Sequence, residues 1–371
     1  MTRWVILAVA ASTALSGSEP QPRKAAPAPL KINTPPAYLS AAAELAGGRL
    51  LVSDARTPAV HVIDPATGDV RTIGSVGAGP DQYVRPGGLY GGADGTLLLL
   101  DRAQLRVSVI SPAGAFTRHY SIAITGTQSA SDADVDLQRI DSRGFSYFTE
   151  RAFGPRATGT SRPSFPLVRF DPAAQQRQTV AGLTQPETMT VDRGNGLTVS
   201  RTVIGSPSDG FGVTPDGRVA VVRGEPYRVD WIETDGRVTR GPAVVHDPVP
   251  MTDADRAAYR ATSEKGPSVG TSASGGAGGG LSGLEPRFAE TKAPFRPEDV
   301  IVSPDGRVWV LRSRAATTTA VTYDVFDGRG QRIDRLEFPD RSLIIGFGKG
   351  AVYVRESGAD GRVTLKKYLV R

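Results

Sequence analysis

One short phrase punctuates the whole sequence: a tight glycine turn followed by four to six residues that alternate apolar and polar. Its fullest form is Ser303-Pro304-Asp305-Gly306-Arg307-Val308-Trp309-Val310, and Pro215-Asp216-Gly217-Arg218-Val219-Ala220-Val221 is nearly the same. Looser copies are Gly47-Gly48-Arg49-Leu50-Leu51-Val52, Ala93-Asp94-Gly95-Thr96-Leu97-Leu98-Leu99, Ser142-Arg143-Gly144-Phe145-Ser146-Tyr147 and Lys349-Gly350-Ala351-Val352-Tyr353-Val354. Asp-Gly supplies the backbone a hairpin turn demands, and period-two alternation marks a strand with one buried face. Copies spread over 371 residues predict a single repeat architecture of antiparallel β-units, not two ordinary domains.

Composition agrees where it bears on the point. The 43 Gly and 28 Pro suit many turns, and long segments of 3.6-residue periodicity are absent. The net charge of +6 is carried by Arg dispersed along the chain. A nucleic-acid binder would gather such charge on one face or helix, so no nucleic-acid partner is expected. There is no Cys, which excludes disulfides, thiolate metal sites and Cys nucleophiles.

Residues 1–17 read as a signal peptide: Thr2 and Arg3 precede an apolar run from Trp4 to about Ala14, too short to span a bilayer, with small residues at Ser16, Gly17 and Ser18. Leu15-Ser16-Gly17-Ser18 resembles a bacterial lipobox with Ser18 in place of the lipid-bearing Cys. The expectation is an exported chain, periplasmic or secreted, with no lipid anchor and no membrane span. Residues 18–29, with Pro20, Pro22, Pro27 and Pro29, read as an extended Pro-rich linker without core residues.

From residue 30 to 371 the pattern divides into six units of up to four strands, A to D from the inside outward. Predicted B, C and D strands are Arg49–Ser53, Val60–Ile63 and Asp69–Ile73 in the first unit, and Thr96–Leu100, Arg106–Ile110 and Ala115–Ile122 in the second. The third has Phe145–Thr149, Leu167–Phe170 and Arg177–Val180; its outer turn Asp171–Gln176 lacks a glycine. The fourth has Arg218–Val222, Tyr227–Ile232 and Arg237–Arg240, and the fifth Arg307–Leu311, Ala320–Phe326 and Gln331–Phe338. The sixth ends after strand C at Arg362–Val370, leaving an edge that a closed architecture must cover. The alternating Leu30-Lys31-Ile32-Asn33-Thr34 is the predicted closing strand.

With Gly77-Ala78-Gly79-Pro80-Asp81-Gln82-Tyr83, Leu99-Leu100-Asp101, Arg106-Val107-Ser108-Val109 and Tyr227-Arg228-Val229-Asp230-Trp231, the chain resembles exported bacterial six-bladed β-propellers of the NHL-repeat kind. The resemblance runs from about Leu30 to the end and implies an all-β fold, a six-bladed propeller of four-stranded antiparallel blades closed by an N-terminal strand. It implies no activity, because these motifs specify the fold.

In such a meander the A–B and C–D turns lie on one face. Every long excursion falls on the other: Val76–Gly87, Ala152–Pro166, Gln185–Asp209, His246–Asp299 and Ser313–Thr319. The insertion at about 246–299 carries a short helix after Thr252-Asp253-Ala254-Asp255, then eight glycines between Gly266 and Gly283 that read as a flexible linker. A loop-bearing face on a rigid scaffold is where binding resides. Strand B ends on that face with a charged residue in each blade: Asp54, Asp101, Glu150, Arg223, Arg312 and Glu356. Two readings stand side by side. Asp54 and Asp101 cap the following turns and the others are solvated strand ends, or the six form a polar rim for a ligand. Arg156, Arg162, Arg201 and Arg314 on neighbouring loops would extend its positive side.

His61, His119 and His246 lie in different blades, and no Gly-x-Ser-x-Gly elbow is present. Two functions remain in view. The first is an exported, non-catalytic binding propeller, monomeric and without a cofactor, contacting an anionic small molecule, peptide or protein. The alternative, an activity that some six-bladed propellers have, is a calcium-dependent lactonase or lyase, for which Asp209, Glu298 and Asp299 before strand A are the acidic candidates.

Overall fold

A computed structural model describes residues 19–124, 136–150, 158–194, 198–265 and 285–370; the predicted signal peptide and the Gly-rich run lie outside them. Four-stranded antiparallel sheets recur around a ring as a β-propeller. Blade one comprises Ala41–Glu44, Leu50–Asp54, Ala59–Ile63 and Val70–Thr72. Blade two comprises Pro86–Gly91, Leu97–Asp101, Arg106–Ile110 and Phe116–Ser121. Blades four and five are Gly210–Val213 with Val219–Gly224, Tyr227–Ile232 and Val238–Arg240, and Val300–Val302 with Val308–Leu311, Val321–Phe326 and Arg332–Phe338. The inner strands of blades one to five meet in ring order, and those of blades six and one pair directly in parallel, Ala42 with Gly346 and Ala43 with Phe347.

The repeated phrase folds as its chemistry requires. Gly217 and Gly306 take φ of +88° and +80°, a region that costs other residues strain. The preceding hydroxyl caps each turn: Thr214 Oγ1 accepts from the Arg218 N–H at 2.9 Å and Ser303 Oγ from the Arg307 N–H at 3.2 Å. Alternating side chains of strands B and C then fill the seams between blades. Trp309, Tyr323 and Val325 of blade five pack with Ile344, Val352 and Val354 of blade six, while Tyr227, Val229 and Trp231 of blade four meet Val300, Val308 and Val310. Gly346 marks a close seam, since a Cβ there would run into the Ala42 carbonyl oxygen.

Blade three is longer than its sequence suggests. Its outer strands run Ser164–Asp171 and Gln176–Thr184 after Asp136–Ile140 and Ser146–Thr149. Gln175 takes the positive φ (+53°) that a glycine would otherwise supply, and Asp171 Oδ1 accepts from the N–H groups of Ala173 and Ala174.

An N-terminal strand does complete blade six, outside Ser342–Gly348, Ala351–Ser357 and Val363–Leu369. The segment that pairs is Ala26–Ala28, with Ala26 opposite Leu369 and Ala28 opposite Lys367, so the predicted closure by Leu30–Thr34 is corrected. Nor are residues 19–29 without a core residue. Arg23–Lys24 lie parallel to blade five's outer strand, and Ala25 is buried in the seam beyond. The physical reason is position in the sheet: an outermost strand needs few ladder donors, so Pro27 is tolerated there. The alternation of Leu30 and Ile32 serves packing instead, placing both against Leu39, Val52, Tyr353 and Leu365 where blade six meets blade one. Asn33 beyond them donates its N–H to the Gly68 carbonyl at 2.8 Å.

Candidate functional site

The strand-B ends sort by charge. Asp54 is buried; its Oδ1 accepts from the N–H groups of Arg56 and Thr57 at 2.8 Å, and its Oδ2 from Tyr38 at 3.1 Å. Asp101, equally buried, receives the N–H groups of Val84, Arg85, Ala103 and Gln104 and the Gln104 amide. Each therefore caps its own turn while pinning a second loop. Glu150 pairs with Arg177 at 3.1 Å, and Glu356 accepts from the Tyr368 hydroxyl.

The two arginines follow a different rule. Arg223 donates to Asp209 at 2.7 Å, Asp230 at 3.0 Å and the Gly182 carbonyl at 2.9 Å. Arg312 donates to Asp324 at 2.8 Å and to the Pro294 carbonyl at 3.0 Å, and its guanidinium lies over the Tyr227 ring. Burial, then the charge of Asp324, push the Tyr227 phenol well above its usual value, so it stays protonated and donates to Asp324 at 3.0 Å. Among the described residues no hydrogen bond or ion pair joins any two of the six rim positions.

Sequence reasoning missed the acidic partners Asp230 and Asp324, although a signal was present. Asp230 stands opposite Val221 and Asp324 opposite Val310, each two residues before the strand-end Arg. In both blades the pair is therefore the same diagonal across strands B and C, a spacing that long side chains bridge. Blades that end strand B with Asp carry His61 or Ser108 opposite the equivalent position. Arg106 was also missed: buried, it donates to the carbonyls of Ala78 and Gly79, both at 3.1 Å, and of Gln82, fixing the first excursion.

Over blades three to five the excursions build a second layer. Gly159–Ser161, Thr188–Asp192 and Thr198–Thr202 form a three-stranded antiparallel sheet. Val249–Pro250 pairs with Thr291–Lys292, and the expected helix runs Asp253–Lys265. Its start is a reciprocal cap: Thr252 Oγ1 accepts from the Asp255 N–H, and Asp255 Oδ2 from the Thr252 N–H. Lys292 ties Asp255 (2.8 Å) to the Arg314 carbonyl (2.9 Å). Ile204 donates to the Arg287 carbonyl and accepts from the Ala289 N–H, each at 2.8 Å, stitching two separate excursions together. Tyr259 meets Phe288 edge-on, with Arg256 and Arg260 over the same ring. Arg162 pairs with Glu225 at 2.6 Å and Arg314 with Asp340 at 2.9 Å; Arg201 lies in the layer's sheet, and Arg156 outside the described residues.

The three carboxylates named for a calcium site do not fit one. Asp209 accepts from Arg223 and from the N–H groups of Thr184 and Gly224, Asp299 receives Arg296 through Nε and Nη2 at 2.9 Å each, and Glu298 also pairs with Arg296. Each of the three is already engaged by a guanidinium, whose charge opposes binding of a divalent cation there. Among the described residues no three His, Asp or Glu side chains are gathered as a metal site, and no helix is long and apolar enough to cross a membrane.

No family model and no curated protein matches the sequence. Solved structures do resemble the fold. A member of the DUF4221 family from Bacteroides vulgatus is 10% identical over 94% of this chain and 96% of its own, with a TM-score of 0.49. A gluconolactonase from Xanthomonas campestris is 13% identical over 95% and 99%, TM-score 0.44. A calcium-binding regucalcin from Agrobacterium tumefaciens is 13% identical over 93% and 96%, TM-score 0.40. These likenesses carry no argument about activity.

Proposed function

We propose that the chain is an exported, non-catalytic binding propeller of the NHL-repeat-like kind, presenting its loop-bearing face to an anionic small molecule, peptide or protein. One observation supports this above others: two separate excursions, joined through Ile204, Arg287 and Ala289, assemble a layer on one face that no blade needs for its own closure. Asp54, Asp101, Arg223 and Arg312 serve this face by fixing its loops, the charge of the two arginines being met by carboxylates, while Glu150 and Glu356 bond within their own blades. Asp209, Glu298 and Asp299 are engaged by arginines, which weighs against the calcium-dependent lactonase or lyase.

The test is thermal unfolding of the full chain against dicarboxylates and acidic peptides, with and without calcium and chelator. A ligand at one hundred times its Kd adds about 2.7 kcal/mol of stability, so at least one anion should raise the Tm while chelator leaves it unchanged. Chelator-sensitive stability together with lactone hydrolysis overturns the reading.

A further inference from the structure

Residues 19–28 form a strap across the outer edges of blades five and six. Pro20, Gln21, Arg23 and Lys24 are exposed, yet the Glu19 side chain is only 9% exposed. Its carboxylate contacts Arg332 at 3.0 Å and both Arg312 and Arg335 at 3.3 Å. The same three guanidiniums surround Asp324, whose side chain is wholly buried. Two carboxylates thus face three cations, and Glu19 is the one that comes from outside the blade.

Gripping one acidic side chain between arginines while adding the backbone to a sheet edge is how receptors hold extended peptides. The strap meets both conditions. Arg23 and Lys24 pair with Leu336 and Glu337, and Ala26 to Ala28 pair with Lys367 to Leu369. A second anchor of opposite sign sits nearby, where Arg23 holds Asp334 through Nε and Nη2. The attachment is otherwise slight, because the strap's buried apolar residue is Ala25 and the larger Leu30 and Ile32 follow it. The same contacts are available to an identical strap from another molecule, which exchanges the entropy of loop closure for that of association.

We propose that the edge of blades five and six is a docking site for the strap of a second copy of this chain, exchanged in trans with Glu19 entering the Arg312–Arg332–Arg335 pocket. A second copy is the occupant because its strap is identical to the one that here satisfies, within one chain, the acidic anchor, the basic anchor at Asp334 and both strand edges together. This does not depend on what the loop-bearing face binds.

The sequence contains no Cys, so introduced thiols report cleanly. Lys24→Cys and Glu337→Cys are register partners, at a spacing between adjacent strands that a disulfide bridges. Full-length chains carrying one substitution each, one of them size-tagged, are mixed over a range of concentrations, oxidised mildly and separated without reductant. A covalent heterodimer that grows with concentration, and falls at least about tenfold when the donor also carries Glu19→Ala, is the expected result. The control pairs Lys24→Cys with a chain carrying Asp94→Cys, on an exposed turn of blade two. A heterodimer yield no greater than that control, while one chain bearing both substitutions closes its internal bond, overturns the proposal. Failure of that internal bond overturns it too, since the strap would then not lie on this edge.

Discussion

Arg223→Ala separates a structural strand end from a free contact residue. The substitution removes a guanidinium from two carboxylates, Asp209 and Asp230, whose side chains are each 3% exposed. Breaking a buried pair from one side costs about 3–5 kcal/mol, because the remaining charge stays desolvated. Two features place Arg223 at the lower end. Asp230 keeps Arg228 at 2.8 Å, and Asp209 keeps two backbone N–H donors. The expected loss is therefore about 3 kcal/mol, seen as a lower urea midpoint at unchanged slope and a Tm lower by roughly 4 °C for a chain of this length. Arg223→Lys reaches one carboxylate at a time and should recover about half of that. From sequence alone the same substitution is expected to spare stability and weaken only a ligand. A loss below about 0.5 kcal/mol, the size of an ordinary surface substitution, would show that the side chain is free in solution and that the paired geometry is wrong.

Asp324→Asn, which removes the carboxylate shared by Arg312, Arg335 and Tyr227, should cost about 3–5 kcal/mol in urea unfolding; a change under about 1 kcal/mol would mean the guanidiniums are hydrated. Gly346→Ala should force blades six and one apart and cost more than 3 kcal/mol, whereas Gly306→Ala, at φ +80° with no atom within 4 Å, should cost only about 1–2 kcal/mol. Equal costs would refute the close seam. Burial lowers the pKa of His246, with Arg312 adding to the effect, and burial lowers His61 against the opposing charge of Asp54. The unfolded chain then binds these protons more tightly, so the stability they contribute is full above pH 6.5, the ordinary value, and is lost as pH falls through the folded pKa. His246→Phe keeps the edge-on contact with Tyr227 and should flatten part of that slope in urea midpoints between about pH 7.5 and 5.5; an unchanged slope would exclude His246 as its source.

The propeller was legible because its signals are local. Asp216-Gly217 and Asp305-Gly306 each fix a turn, and strand C of blade four falls on Tyr227–Ile232 as its alternation indicates. Blade three was less legible, since Gln175 takes a turn conformation that its chemistry does not advertise. The strap was misplaced because Leu30 and Ile32 alternate as a strand would, and seam packing produces the same two-residue rhythm as ladder pairing. Among the rim residues, the turn-capping roles of Asp54 and Asp101 were readable from residue type. The commitments of Arg223 and Arg312 were not. They depend on Asp230 and Asp324 in the neighbouring strand, and on Asp209 and the Pro294 carbonyl in distant loops. A strand-end arginine looks the same in sequence whether it faces water or a buried carboxylate.

The strap also sets a timetable. Arg23 and Asp334, which it brings together, are 311 residues apart in the chain. A polypeptide that emerges amino end first displays the strap long before its partners exist, and the outer edge of blade six stays open until Val363–Leu369 has been made. Contacts of such long sequence separation form slowly and leave strand edges exposed in the meantime. Truncation at either end would therefore produce the same fault, an uncovered edge on blade six. The ring is a structure that only a finished chain can close.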